Sequence, residues 1–191
     1  MKNILLGTHN TMTYLNPQNK FLCPFKWMSR CQSKTLVEQY EEYGARVFDI
    51  RLYYDNSNKI WVFKHGYMIY RDEYPGSVFN WLNRKGDTWC RIILETKKHD
   101  DLQEDKFIEF CKKLENMYPN IKFFGGERKY DWVKLYKFSN KDLSIDGRFS
   151  SVPENPKIYG IWPWLYSKIN NKKFKSTPTN FECIFLDFIN L

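Results

Sequence analysis

The chain has 191 residues, a formal net charge of +8 and a pI near 9.1, with 42% hydrophobic and 18% aromatic residues. That length suits one domain with a sizeable core and argues against a large two-domain enzyme, and the aromatic content argues against a disordered chain. The positive charge favours an anionic partner, whether nucleic acid, an acidic membrane surface or a phosphorylated small molecule, without choosing among them.

In chain order, an apolar run at 3–6 reads as a first strand. Thr35 followed by Glu38 has the form of a capping box and starts a helix that Gly44 ends. Strands follow at 46–53 and 60–64, and Pro75-Gly76 opens a second helix that runs through Leu82 and closes near Gly86. After a strand at 90–96, the clearest helix runs from Asp101 to Tyr118. Leu102, Phe107, Phe110, Leu114 and Met117 are predicted on one of its faces, ahead of Pro119. Further strands fall at 121–124, 157–161 and 182–188, and the stretch 125–179 is otherwise irregular. Alternating strands and helices argue for an α/β fold, and with neither an internal repeat nor a linker the chain 1–191 reads as a single domain.

The five cysteines are odd in number and widely spaced, which suits a reduced compartment better than a disulfide framework or a zinc finger. No secretion signal precedes the first strand and no stretch of about 18 apolar residues could span a bilayer. The expectation is a soluble monomer, cytoplasmic or released without a classical signal, with peripheral membrane contact only. Lys and Arg are scattered apart from short clusters such as Lys97-Lys98, and no nucleic-acid motif accompanies them, so no nucleic-acid partner is expected.

Chemistry-bearing residues concentrate at the ends of the predicted strands. Asp49 and Arg51 lie two apart, so on a strand they share a face, either as a structural ion pair or as part of a site. His65 closes the strand "WVFKH", and His9 follows the first strand in "LLGTHNTMTY", where Gly7 is expected to let the backbone turn and Thr8 and Thr11 to be available for local hydrogen bonds. Active-site groups of α/β barrels collect at the carboxyl ends of strands. Two imidazoles and a guanidinium form a coherent set for displacement at phosphorus: a base for the attacking hydroxyl, an acid for the leaving oxygen, and a cation for the phosphoryl oxygens. A base also needs an orienting carboxylate. A last strand that closes a barrel lies beside the first, which makes Asp187 in "IFLDFI" the candidate, although a carboxylate facing water at a strand end is the plainer alternative.

In this order, "GTHNT" at 7–11, "GARVFDIRL" at 44–52, "KHG" at 64–66, "IILETKK" at 92–98 and "FLDFIN" at 185–190 resemble the catalytic X region of phosphatidylinositol-specific phospholipase C, closer to the bacterial, metal-independent branch. The resemblance implies a distorted or trimmed TIM-type (β/α) barrel. It implies cleavage of phosphatidylinositol by attack of the inositol 2-hydroxyl, giving diacylglycerol and a cyclic inositol phosphate. Carried over, it makes His9 the general base, His65 the general acid, Arg51 the phosphate-binding group and Asp187 the partner of His9. Asp49 falls on an acidic position of the family, and Lys97 on that of a lysine near the substrate.

Two positions bear on metal use. The eukaryotic branch has acidic calcium ligands where this chain has Arg51 and Lys97, and cations there would repel a divalent ion, so no cofactor is expected, with calcium as the alternative. The bacterial enzymes have an aspartate after the first histidine, supporting the acid, where this chain has Asn10, a residue the eukaryotic branch uses toward calcium. Asn10 can hydrogen-bond but carries no charge, so Asp49 is a second candidate for the supporting role. Trp162, Trp164 and Tyr166 in "YGIWPWLY" suit a sugar-stacking wall, an interfacial anchor or the core. Two other readings are a glycerophosphodiester phosphodiesterase-like barrel, whose acidic metal cluster after the first histidine is not evident, and an inert phospholipid-headgroup binding module, which needs no acid and base together.

Overall fold

The computed structural model describes residues 4–96, 101–126, 133–146, 164, 167, 168, 171 and 180–191. Nine strands form one sheet: β1 (Leu5–Thr8), β2 (Val47–Asp55), β3 (Ile60–His65), β4 (Met68–Tyr70), β5 (Thr88–Glu95), β6 (Ile121–Phe124), β7 (Val133–Leu135), β8 (Ile145–Asp146) and β9 (Cys183–Leu186). The α-helices α1 (Lys26–Ser29), α2 (Leu36–Glu41), α3 (Pro75–Lys85) and α4 (Asp101–Met117) accompany them among the described residues, and Trp164, Ser167, Lys168 and Asn171 are helical as well. Short 3-10 turns span Thr11–Tyr14 and Lys20–Phe25.

Six of the strands run parallel in the order β8-β9-β1-β2-β5-β6. Parallel neighbours need crossovers, and α2, α3 and α4 lie in the connections that carry the chain from β1 to β2, from β4 to β5 and from β5 to β6. Strands covered in this way are buried on both faces, as the near-continuous burial of β2, β5 and β9 shows. Phe48, Ile50 and Leu52 of β2 and Ile92 and Leu94 of β5 pack under Phe79 and Leu82 of α3 and Phe107 and Leu114 of α4. Each such side chain contributes about 1.5–3 kcal/mol by leaving water. No pairing joins β6 to β8 among the described residues, so the sheet is open and the fold is mixed α/β with a large, mainly parallel sheet.

Two antiparallel additions complete the sheet. β3 and β4 form a hairpin on the C-terminal half of β2, and β7 pairs with the C-terminal half of β5. The predicted strands fall on observed ones, the first displaced by two residues (3–6 against Leu5–Thr8), apart from 157–161, which lies outside the described residues; β4, β7 and β8 were not legible because each has three residues or fewer. The predicted capping box forms, with the Thr35 hydroxyl accepting from the Glu38 N–H and the Glu38 carboxylate from the Thr35 N–H.

Two expectations need correction. The buried face of α4 is Gln103, Phe107, Cys111 and Leu114, continued by Tyr118, while Leu102 and Met117 point to solvent. The helix is rotated from the predicted face because Gln103, fully buried, is held by the backbone N–H and C=O of Tyr54. Gly7, expected to let the chain turn before His9, is instead part of β1: a Cβ there would lie 2.2 Å from Phe185 Cδ1, so the glycine lets β1 and β9 pack closely.

Candidate active site

Side chains alternate along a strand, and parallel register aligns the alternation across strands. Gly7 is level with Phe185 and with Val47, and Asp49 with Arg91. One face of the sheet therefore carries Val47, Cys183 and Phe185, packed with Phe124 and Leu143, toward the strands' N-terminal ends. The same alternation continued toward the C-terminal ends presents His9, Asp187, Asp49, Arg51, Arg91 and Glu95. The sheet thus has an apolar floor and a charged mouth.

His65 arrives by a different route from the one expected. β3 is not a parallel strand equivalent to β1. It pairs antiparallel to β2, starting opposite Asp55 and running back along the edge that β1 occupies at the other end. β1 and β3 thus approach one another end to end along β2, and His9 and His65 meet where they converge.

The geometry assigns protons. His9 Nδ1 lies 2.7 Å from Asp187 Oδ1 and its Nε2 lies 2.8 Å from Arg51 Nη2. A guanidinium can only donate, so His9 Nε2 is the acceptor and Nδ1–H donates to Asp187. His9 is thereby held with its Nε2 lone pair facing the site. His65 Nδ1 lies 2.7 Å from the Ser29 carbonyl, which only accepts, so its Nε2 likewise faces inward.

Arg51 ties the site together. Its Nε donates to Asp49 Oδ2 at 3.3 Å and its Nη1 to Glu95 Oε2 at 3.2 Å. Glu95 also accepts from the Gly66 N–H just after His65, and its backbone carbonyl accepts from Lys64 Nζ at 3.0 Å. Burial disfavours the charged form of Asp49, but Arg51 and Arg91, with His9, outweigh it and hold the carboxyl below its ordinary range. Burial opposes the charge on Arg51 too, and Asp49 and Glu95 reverse that effect and keep it protonated. For His65, burial pushes the imidazole below its ordinary 6.5; Glu95 pulls against this and Arg51 and His9 add to it.

Four further buried groups brace the mouth. Gln32 Nε2 donates to the carbonyls of His9 and Leu186 at 3.0 and 2.8 Å, and its Oε1 accepts from the Ile189 N–H. Asn171 Nδ2 donates to the carbonyls of Asp187 and Phe188. Thr8 and Thr11 share the expected local hydrogen bond at 2.9 Å. His9, Cys31 and Asp187 offer ligand atoms within 4.8 Å of one another, but His9 Nδ1 is committed to Asp187, and burial followed by Asp187 pushes the Cys31 thiol well above its ordinary pKa.

Of the residues read from the sequence, the structure brings together His9, Asn10, Asp49, Arg51, His65 and Asp187. Lys97, Trp162 and Tyr166 lie outside the described residues, and Trp164 is exposed with Lys168 Nζ 5.1 Å from its ring. Sequence reasoning passed over Glu95, although alternation along β5 aligned with β2 would have placed it on the Arg51 face. Gln32, Ser29 and Asn171 carried no signal in the sequence.

This is a mixed α/β protein in which two imidazoles and a guanidinium converge, His9 from beyond a parallel strand, Arg51 from β2 and His65 from the end of an antiparallel one. It is similar in structure to a double mutant of the phosphatidylinositol-specific phospholipase C from S. aureus, with 12% sequence identity, a TM-score of 0.58, and coverage of 98% of this chain and 86% of that one. At that identity the likeness is one of fold. No family model and no curated protein matches the sequence.

Proposed function

We propose that the chain is a metal-independent phosphodiesterase of the phosphatidylinositol phospholipase C type, in which the open sheet is the wall of a distorted (β/α) barrel. The observation that carries this reading is the convergence of His9 Nε2, His65 Nε2 and Arg51 Nη2 in one mouth, with Asp187 behind His9. A phosphoryl oxygen displaces His9 from Arg51 Nη2 and frees its Nε2 lone pair. That lone pair takes the proton of the inositol 2-hydroxyl as its oxygen attacks phosphorus. The bond from phosphorus to the glycerol oxygen breaks, and the leaving oxygen takes its proton from protonated His65 Nε2. Diacylglycerol and a cyclic inositol phosphate result. Arg51, braced by Asp49 and Glu95, supplies the positive charge that calcium would otherwise provide.

A membrane-facing substrate accounts for a feature beside the mouth. Phe21, Phe25, Trp27 and Met28 are exposed next to Ser29, the residue that holds His65, and Tyr67, 80% exposed, follows Gly66. Such side chains with Lys20 among them suit contact with an anionic bilayer. No helix among the described residues is long and apolar enough to cross a membrane.

The test is incubation with phosphatidylinositol vesicles, following release of water-soluble inositol phosphate with and without EDTA, beside His9→Ala and His65→Ala. Release by the wild type in EDTA and its loss in both variants is the expected result. Absence of release defeats the enzymatic reading for this lipid, and release by the variants defeats the residue assignment.

A further inference from the structure

Asn10 stands between the two imidazoles and is 2% exposed. Its Nδ2 lies 3.1 Å from His9 Nε2, 3.2 Å from His65 Nε2 and 3.4 Å from Cys31 Sγ. Its Oδ1 is buried with no hydrogen-bond partner among the described residues, and so is Asp49 Oδ1. Both residues line the same small cavity, together with Arg51 and Lys64. A buried acceptor left unpaired costs about 1–3 kcal/mol, and what favours this amide orientation is chiefly the inward-facing lone pair of His65 Nε2, since His9 Nε2 also accepts from Arg51 Nη2 at 2.8 Å.

That requirement lasts only while both rings are neutral. Once either Nε2 carries a proton, the same NH2 group faces another donor and repels it. Rotating the amide by half a turn about Cβ–Cγ exchanges Oδ1 and Nδ2. Oδ1 then accepts from the protonated ring and is no longer an unpaired buried acceptor, while Nδ2 turns away from that ring.

We propose that the Asn10 amide is a reversible hydrogen-bond switch shared by the two imidazoles, donating to both while they are neutral and accepting from whichever becomes protonated. The proposal rests on the acid–base reading of His9 and His65 and assigns Asn10 as a positioning residue that acts through them. An asparagine suits this place better than a carboxylate. A carboxylate only accepts, and between two Nε2 atoms it would favour a proton on His9 as well as on His65, occupying the lone pair that the base needs.

Several other groups act on the two rings. His65 is faced by Glu95 from β5, Arg51 from β2, His9 beyond β1 and the Ser29 carbonyl at the end of α1. His9 is faced by Asp187 beyond β9, by Asp49 and Arg51 from β2, and through Asn10 by Cys31. Apart from the Cys31 thiol, which is linked to His9 through Asn10, none of these can change from donor to acceptor by turning in place, as the amide can.

The experiment is a pH titration by NMR of the protein without substrate, with labelled histidine rings and labelled asparagine side-chain amides, in wild type, Asn10→Asp and Asn10→Gly. Asn10 has φ 47° and ψ 52°, a left-handed conformation that Asp and Gly also accept, so the backbone is respected. In wild type the Asn10 amide signals are expected to move with the midpoint of a ring. N10D is expected to shift the His65 midpoint to a proton concentration about tenfold lower or more. N10G is expected to shift it to a proton concentration about threefold higher, because a charged ring loses more than a neutral one when its partner goes.

A fixed donor predicts the opposite sign for N10G, since it supports only the neutral rings. An unchanged or oppositely shifted midpoint in N10G, or wild-type amide signals that ignore the titration, overturns the switch. Because no substrate enters these measurements, a protein that shows them but fails to release inositol phosphate overturns the enzymatic reading alone.

Discussion

The two halves of the charged mouth hold similar imidazoles in different electrostatic settings. His9 projects from the end of a parallel strand and gives its Nδ1 proton to the carboxylate of Asp187 at 2.7 Å. His65 ends an antiparallel hairpin strand and gives its Nδ1 proton to the carbonyl of Ser29 at the same distance. A carboxylate stabilises an imidazolium by charge, whereas a carbonyl does so only by its dipole. The pair is therefore differentiated by what stands behind each ring, a charged carboxylate at His9 and a neutral carbonyl at His65.

The most severe way to break this contrast is to remove its charged member. Asp187→Asn keeps a hydrogen-bonding group behind His9 but removes the charge, and turnover of phosphatidylinositol is expected to fall about 10²- to 10⁴-fold in a kcat measurement with the fold intact by circular dichroism. Arg51→Met removes the cation between the halves and leaves Asp49 and Glu95 buried without it. A loss of about 3–5 kcal/mol in urea unfolding is expected, together with loss of activity. Gly7→Ala forces β1 away from Phe185, and with it His9 from Asp187, which is expected to cost about 1–3 kcal/mol in the same unfolding experiment.

Subtler experiments sharpen the contrast. His65 has a folded pKa below its ordinary 6.5, so the unfolded chain takes up that proton first. Its contribution to stability is full above about pH 6.5 and declines as the pH falls through the folded value, which urea midpoints from pH 8 to pH 5 would record. In the proposed reaction activity runs the other way at this residue, because His65 as the acid must hold a proton, and kcat/KM is expected to fall as pH rises through the His65 titration. Glu95→Gln removes the carboxylate that pulls the His65 pKa upward, and is expected to lower the midpoint of that fall.

Local sequence determined a good part of this. Alternation placed Asp49 and Arg51 on one face, the capping box and the left-handed Gly86 bounded their helices, and the apolar runs marked all the long strands. His9 and His65 were visible as residues at strand ends, because a histidine after an apolar run is a local pattern. What packed against α4 was not, since a buried Gln103 satisfied by Tyr54 depends on a partner 49 residues away. Glu95 was missed for the same reason: its importance comes from the register of β5 against β2.

The approach of His65 to His9, the backing of one ring by Asp187 and of the other by Ser29, and the place of Asn10 between them were decided only by tertiary structure. Alternation and capping act within a few residues and leave a mark in the sequence. Register between strands, and the end-to-end meeting of β1 and β3 along β2, are set by how the whole sheet packs beneath its helices. No short stretch of the chain encodes them.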